Sequence, residues 1–216
     1  MAKLRKETIN WTEGLVIETF GLIRHTNETP LLSEWLTVQN DLTNIEILAL
    51  EKRRLRLFEN VSGWNEETLK MKFIAFILDM VDYDERKPIQ GVFEAELSGT
   101  VQGQVLKVIP DYAVARVILD LVRHPYFYFH EYKPKKRTKD PVAQVLLAML
   151  IAQEQNKDDK PIYGCVVYGE MWQFLVMHGN EYSVGKGLNA TDSHQLQTVL
   201  LILRKFKHIL YTELMV

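Results

Sequence analysis

The chain has 216 residues, of which 47% are hydrophobic and 25% charged, and its formal net charge is -2 at pH 7. These values are typical of one globular domain and argue against a protein that coats nucleic acid non-specifically. A single cysteine, Cys165, rules out an internal disulfide and favours a reducing compartment. No apolar run reaches the ~18 residues of a membrane span, and no apolar core follows the basic N-terminus, so we expect a cytoplasmic protein.

Residues 1–60 are predicted to form a helical extension ahead of the main domain. Apolar side chains recur at helical spacing over Trp11–Ile23. Further helices are expected over Leu31–Leu36 and from about residue 41 onward. The last of them carries a charged stretch, Glu51–Arg56, which fits a solvated helix face better than a nucleic-acid contact.

The next helix is predicted to begin after Asn65, whose side chain is a good N-terminal cap. Glu66 and Glu67 occupy its first turn, where the helix dipole favours acids. Leu69 and Phe73 follow at helical spacing from Glu66, so Glu66 shares their core-facing side and Glu67 shares it less closely. Two interpretations stay open: ordinary first-turn acids, or a carboxylate directed into a site.

Two strands are predicted to follow, over about residues 92–100 and 104–115, joined by a tight turn. Asp111 stands directly after Pro110 inside the second of these apolar runs. The segment Ile118–Pro125 fits either a short helix or a loop.

The run Tyr126–Lys133 predicts a strand that is apolar on both faces and therefore central in its sheet. Because a strand has a period of two, Glu131 and Lys133 project from one face, together with Phe127 and Phe129. An acid and a lysine at the end of such a strand are costly to bury without partners. A second acid from a neighbouring strand, with a divalent cation between the two, would remove that cost. A surface ion pair is the simpler alternative.

Other catalytic patterns are weaker in this sequence. The six histidines show no metal-ligand spacing, and His130 falls on the opposite face of the strand from Glu131, so we expect it to be packed. The sequence contains no glycine-rich phosphate loop with the spacing of its lysine, and no legible serine or cysteine triad.

The sequence after the predicted central strand changes from basic loop to helix to strand. Pro134–Lys139 is a basic loop that fits either a solvated turn or a phosphate contact, and its position beside the acids favours the contact. Asp140 caps the next helix, which carries Gln144 one turn in. Two or three short strands are predicted over residues 161–184, and a last helix opens near Asp192.

The order of these features resembles the PD-(D/E)XK nuclease superfamily, which has the restriction-endonuclease-like fold. The resemblance covers about residues 64–180 and is carried by Pro110-Asp111 and the triplet Glu131-Tyr132-Lys133. A first helix that opens with an acid, a helix with a glutamine after the triplet and closing strands accompany it. The stretch is similar to a group of uncharacterised bacterial proteins with this core. The resemblance implies an α/β domain over residues 61–216, with a mixed central sheet flanked by helices, after the helical extension.

The resemblance also implies a set of metal ligands. Asp111 and Glu131 would hold Mg²⁺ or Mn²⁺ as a carboxylate pair, the ligand type that Mg²⁺ prefers. The backbone carbonyl of Tyr132 would be a further ligand, and Glu66 would bind a second or water-bridged cation.

The remaining site residues would act on the phosphate. Lys133 would stabilise developing negative charge or position the nucleophile, and Gln144 would orient Lys133 or a phosphate oxygen. The expected activity is metal-dependent hydrolysis of phosphodiester bonds, with DNA preferred to RNA only because the family acts more often on DNA.

Two other functions fit the same residues. The small acidic net charge and the lack of a long basic arm fit a module that keeps this fold and binds nucleic acid or protein without cleavage. A third candidate is an assembly subunit, a homodimer through the helices of residues 7–60. Convergence of Asp111, Glu131 and Lys133 in one site would favour the enzyme over the binding module.

Overall fold

The computed structural model describes residues 10–39, 41–119, 121–134 and 140–215. The α-helices of this part are α1 (Glu13–Phe20), α2 (Pro30–Leu36), α3 (Asn44–Asn60), α4 (Glu66–Leu69), α5 (Ala75–Val81), α6 (Pro141–Asn156) and α7 (Ser193–Ile209). The strands are β1 (Ile23–His25), β2 (Ile89–Phe93), β3 (Leu97–Val101), β4 (Gln104–Val108), β5 (Tyr112–Ile118), β6 (Leu121–Lys133), β7 (Ile162–Tyr168), β8 (Met171–His178), β9 (Glu181–Val184) and β10 (Leu188–Asn189). A π-helical turn, Lys70–Ile74, connects α4 to α5. Over these residues no helix has the length and apolarity needed to cross a membrane.

Within the described residues, eight strands form one mixed sheet in the order β1-β9-β8-β7-β6-β5-β2, with β10 beside β8. The pairs β6–β7 and β1–β9 are parallel, and the other neighbours are antiparallel. Side chains of α2, α3, α5 and α7 pack on one face of the sheet, and those of α1, α6 and the β3–β4 hairpin pack on the other. The expectation of an α/β fold with a mixed central sheet flanked by helices is confirmed at this level.

The N-terminal helices share their core with the sheet. Trp35 of α2 is fully buried, and its indole N–H donates to the backbone carbonyl of Ile202 in α7 at 2.9 Å. Its ring meets those of Tyr163, Phe174 and Phe206 edge-on, at centroid distances of 5.0 to 6.1 Å. The region also contributes strand β1, so it is not wholly helical as predicted. The domain boundary at its end stays a prediction.

The predicted strand boundaries before β6 were wrong in three places. The strand expected over residues 92–100 is two strands, because β2 ends at Phe93 and β3 begins at Leu97 in a different sheet. The strand expected over residues 104–115 is divided at Pro110 and Asp111, because proline lacks the N–H that a strand ladder needs. The first half, β4, pairs with β3 in a separate two-stranded sheet, and β5 joins the central sheet. The segment after β5 is neither helix nor loop, because β5 and β6 continue as an antiparallel pair up to Ile118 and Leu121.

A β-bulge also changes which face some residues of β6 take. The pairing of β6 with β5 skips Phe127, which is an extra residue on its strand. Phe127 therefore packs in the same cluster as Tyr128, and not beside Phe129 as the period of two predicted. After the bulge the alternation is regular, so Glu131 and Lys133 share a face as expected.

His130 lies on the other face of β6 and is packed, as predicted. Its side chain is fully buried, with the rings of Tyr132 and Trp172 at centroid distances of 4.8 and 5.2 Å. Burial lowers the pKa of His130 to about 3, which keeps the imidazole neutral. The face of β6 opposite Glu131 is therefore aromatic and uncharged.

Glu46 connects α3 to α7 and is therefore expected to contribute to the stability of the fold. Its carboxylate completes a capping box with Thr43 and pairs with Arg204. Hydrogen bonds from Arg204 and then Thr43 lower the pKa of Glu46 from 4.5 to about 2. Because the folded-state pKa is lowered, this stabilisation is present above pH 4.5 and is lost as the pH falls toward 2.

We therefore expect Glu46→Gln to lower the free energy of unfolding by roughly 1 kcal/mol at neutral pH. The difference from wild type should shrink as Glu46 becomes protonated. Urea denaturation of both proteins across the acid range measures it, with Glu59→Gln on the exposed side of the same helix as the control. A difference that did not change with pH would contradict the assignment.

Candidate active site

Asp111 and Glu131 lie side by side, with Asp111 directly before β5 and Glu131 near the end of β6. Tyr112 pairs with His130, so the residue before Tyr112 falls opposite Glu131. The backbone N–H of Tyr132 donates to Oδ2 of Asp111 at 2.6 Å. This hydrogen bond holds the Asp111 carboxylate against the end of β6, although Asp111 itself precedes the first residue of β5.

The ammonium group of Lys133 joins these carboxylates into one cluster. Its Nζ lies 2.7 Å from Oε1 of Glu131, 3.3 Å from Oε2 of Glu66 and 3.9 Å from Oδ2 of Asp111. It also donates to the backbone carbonyl of Tyr132 at 2.8 Å. The side chains of Lys133 and Glu131 are only 8% and 3% exposed, so their charges compensate each other in a place with little water. We call these four side chains and the Tyr132 carbonyl the carboxylate cluster.

Glu66, rather than Glu67, is the first-turn acid that reaches the carboxylate cluster. The side chain of Asn65 caps α4, which fixes the direction of its first turn. Glu66 is 44% exposed and contacts Lys133, whereas Glu67 is 66% exposed and pairs with Lys70 at 3.0 Å. The helical phase placed Glu66 correctly, and its role as a metal ligand stays a prediction.

Gln144 is held in the first turns of α6, which Asp140 caps by accepting the backbone N–H groups of Val142 and Ala143. The side-chain oxygen of Gln144 is buried and accepts no hydrogen bond from any residue that the structure describes. No hydrogen bond between Gln144 and Lys133 is present in that part of the chain either. Its predicted orienting role stays a prediction, and the basic loop predicted beside it lies largely outside the described residues.

The protonation of the carboxylate cluster is set mainly by burial. Burial raises the pKa of Glu131 to about 7; the charge of Asp111 adds to this rise and Lys133 opposes it. Burial also raises the pKa of Asp111, against the Tyr132 N–H and the Lys133 charge. For Lys133 burial acts to lower the pKa, but Glu131 and the other carboxylates outweigh it and the pKa is raised. The cluster thus contains one ammonium group that stays protonated and three carboxyl groups around it.

The donor set fits a hard divalent cation. Oε2 of Glu131 is buried without a hydrogen-bond partner, which is an unfavourable state for a carboxylate oxygen. The atoms available as metal ligands are carboxylate oxygens and the carbonyl oxygen of Tyr132, the ligand types that Mg²⁺ and Mn²⁺ prefer. As they stand, no three His, Cys, Asp or Glu side chains of the described ranges are arranged to hold a metal ion. The cation that Asp111, Glu131 and Glu66 surround is the ammonium of Lys133, which would have to share or yield this place.

Lys70 is a nearby residue that the sequence pattern did not single out. It is 9% exposed and pairs through Nζ with Oε1 of Glu94 at 2.7 Å. The backbone N–H of Glu94 in turn donates to the carbonyl of Asp111 at 3.1 Å. Lys70 lies four residues after Glu66 on a helix, and this spacing, which puts both on one helix side, is the signal that could have found it.

A cavity of about 730 Å³ lies at the β1–β9 edge of the sheet, and none of its lining residues belongs to the carboxylate cluster. His25 and His178 border this cavity, paired with Glu181 at 2.7 Å and Asp159 at 3.5 Å. All four of these side chains are more than a third exposed, which is typical of surface pairs. The buried charges of the carboxylate cluster are the more unusual feature, since buried ionisable groups concentrate at functional sites.

Comparison with known proteins assigns no family. No family model matches this chain, and no curated protein shows significant similarity to it. The chemistry and geometry of the site are therefore what can indicate a function for this chain.

Glu131 should destabilise the metal-free protein as the pH rises. Because its pKa is raised from 4.5 to about 7 on folding, the folded state binds this proton more tightly, and that stabilisation is lost as the pH rises from 4.5 through 7. We expect Glu131→Gln, which cannot ionise, to be more thermostable than wild type above neutral pH and similar at acid pH. Thermal denaturation in a chelator measures both, with Glu59→Gln as the control. Equal pH profiles for wild type and Glu131→Gln would contradict the prediction.

Proposed function

We propose that this protein is a metal-dependent nuclease with a restriction-endonuclease-like core, which hydrolyses phosphodiester bonds of DNA. The observation that carries the proposal is the meeting of Asp111, Glu131, Lys133 and Glu66 at the end of a central strand. An acid and a lysine two residues apart on a surface strand would not need two further carboxylates from other elements.

The order of elements supports the same class. The helix that begins with Glu66 precedes β2 to β6, and Asp111 directly precedes β5, the strand that pairs with β6 and so lies beside Glu131. The helix α6 follows the triplet and leads into the parallel strand β7. This is the order on which the resemblance to the PD-(D/E)XK superfamily was based. The choice of DNA rather than RNA follows that resemblance alone.

The carboxylate cluster has the groups that phosphodiester hydrolysis requires. A divalent cation held by Asp111, Glu131 and the Tyr132 carbonyl would supply Lewis acidity toward a phosphate oxygen and would lower the pKa of a bound water. Glu66 would bind a second or water-bridged cation. The protein's own contribution begins with Asp111, whose carboxylate is fixed by the Tyr132 N–H. Glu131 is fixed by its buried position on β6.

Lys133 would act on the phosphate itself. Its raised pKa keeps the ammonium charged, so it can donate hydrogen bonds to a phosphate oxygen on which negative charge develops. Its present partners include Glu131 and Glu66, and an ammonium offers three N–H donors. When the carboxylates are neutralised by another cation, those donors become available to substrate.

We expect Lys133→Met to lower the rate of cleavage about a hundredfold or more, because transition-state charge loses its donor. Binding of Mn²⁺ should be kept or strengthened, because lysine is not a ligand for this ion and its ammonium competes for the same carboxylates. Asp111→Asn should lose both Mn²⁺ binding and cleavage, while its side-chain oxygen can still accept the Tyr132 N–H. Cleavage of single- and double-stranded DNA and RNA, together with calorimetric Mn²⁺ titration, separates these outcomes.

Lys207→Met serves as the control, since Lys207 pairs with Glu85 away from the carboxylate cluster. If the wild-type protein binds no Mn²⁺ at millimolar concentration and cuts none of the substrates, the nuclease proposal is wrong. Binding of nucleic acid without any cleavage would instead support the alternative of a non-cleaving module.

A further inference from the structure

A second buried lysine, Lys70, lies near the carboxylate cluster, and two carboxylates that face solvent hold its ammonium. Its side chain is 11% exposed, and its Nζ lies 2.7 Å from Oε1 of Glu94 and 3.0 Å from Oε2 of Glu67. These carboxylates are 63% and 66% exposed. The stem of Lys70 is therefore fixed by packing, whereas the groups that hold its ammonium face solvent.

The exposure of Glu67 and Glu94 distinguishes this arrangement from a buried structural ion pair. A carboxylate that is mostly in water gains little from such a pair, because water solvates it almost as well. The ammonium of Lys70 can therefore exchange these partners for another anion at small cost. An ammonium is a compact cation with three donors, and phosphate oxygens are strong acceptors for it.

Lys70 is also connected to the carboxylate cluster through the backbone. The N–H of Glu94 donates to the carbonyl of Asp111, and Lys70 lies on the same helix as Glu66 at the next turn. Lys70 opens the π-helical turn between α4 and α5, a feature that occurs often at functional sites. The helical segment that carries Glu66 thus also carries Lys70, and the backbone of Asp111 holds Glu94, which pairs with Lys70.

We propose that Lys70 forms a phosphate subsite of the nuclease, which binds a phosphate of the substrate strand next to the one that is cleaved. Glu67 and Glu94 hold the ammonium in place in the free protein, and a phosphate of the bound DNA strand replaces them. This inference rests on the proposed nuclease function. It adds a residue that binds substrate and is not a metal ligand.

The test is the affinity for a labelled DNA oligonucleotide, single- and double-stranded, with Ca²⁺ in place of Mg²⁺, measured by fluorescence anisotropy over a range of salt concentration. Lys70→Gln should weaken binding by on the order of tenfold, as expected for a lost charge-assisted hydrogen bond. The slope of log affinity against log salt should become shallower by about 0.7 to 0.9, which corresponds to one phosphate contact. Lys70→Arg should restore most of the affinity.

The effect of Glu94→Gln on DNA affinity distinguishes a phosphate-binding role of Lys70 from a purely structural one. If the ammonium binds phosphate, removing a competing carboxylate should tighten binding several-fold, and this gain should disappear in the double variant with Lys70→Gln. If the pair only supports the fold, Glu94→Gln should weaken binding as Lys70→Gln does. Thermal denaturation shows whether Lys70→Gln is folded. If it is not, the effect of Glu94→Gln still tests the proposal.

The pair Lys207 and Glu85 supplies matched controls. Lys207 is 17% exposed, its partner Glu85 is 50% exposed, and Lys207 also donates to the carbonyl of Val81 at the far end of α5. Lys207→Gln and Glu85→Gln should leave affinity and salt slope unchanged. If Lys70→Gln matches Lys207→Gln while the wild type binds and cuts DNA, only the subsite inference is wrong. If the wild type neither binds nor cuts DNA, the nuclease proposal fails and the subsite fails with it.

Discussion

The interaction on which this end of the molecule depends is the balance between one buried ammonium and the carboxylates around it. Glu131 lies at the end of a strand that is packed on both faces, where an isolated charge would be strongly unfavourable. Lys133 compensates it at 2.7 Å, and Asp111 and Glu66 add charge that one ammonium cannot neutralise. The cluster is therefore held together and left with excess negative charge, a state that favours a second cation.

The fold places these charges through features that act over long distances in sequence. The break between β4 and β5 leaves Asp111 just outside the strand ladder, where its carboxylate accepts the N–H of Tyr132. The bulge at Phe127 resets the phase of β6, so that the faces of its last residues are fixed by pairing with both β5 and β7. Aromatic packing of His130 and its neighbours covers the opposite face, so the ionisable side chains at the end of β6 lie on the face of Glu131.

The sequence was sufficient for the parts of the site that depend on local periodicity. Glu131 and Lys133 are two residues apart on a strand, and this spacing puts them on the same face. The helical spacing to Leu69 and Phe73 distinguishes Glu66, which faces the cluster, from Glu67, which does not. It was insufficient where non-local pairing decides, because strand propensity alone cannot show a bulge, a separate β3–β4 hairpin or the extension of β5 and β6. Lys70 was missed for the same reason: a lysine on a helix is normally solvated, and the pairing of its ammonium with Glu94 brings in a residue 24 positions away in the chain.

A common physical logic links the two buried lysines. Each has a fixed stem and an ammonium held by carboxylates, so each positive charge is kept in place. Phosphate is a competitor for such an ammonium, and a divalent cation is a competitor for such carboxylates. Because the same contacts are exchanged in both cases, cation binding at Asp111 and Glu131 should make Lys133 a better hydrogen-bond donor to phosphate. Metal affinity and nucleic-acid affinity would then be coupled, and by linkage each would strengthen the other by the same factor.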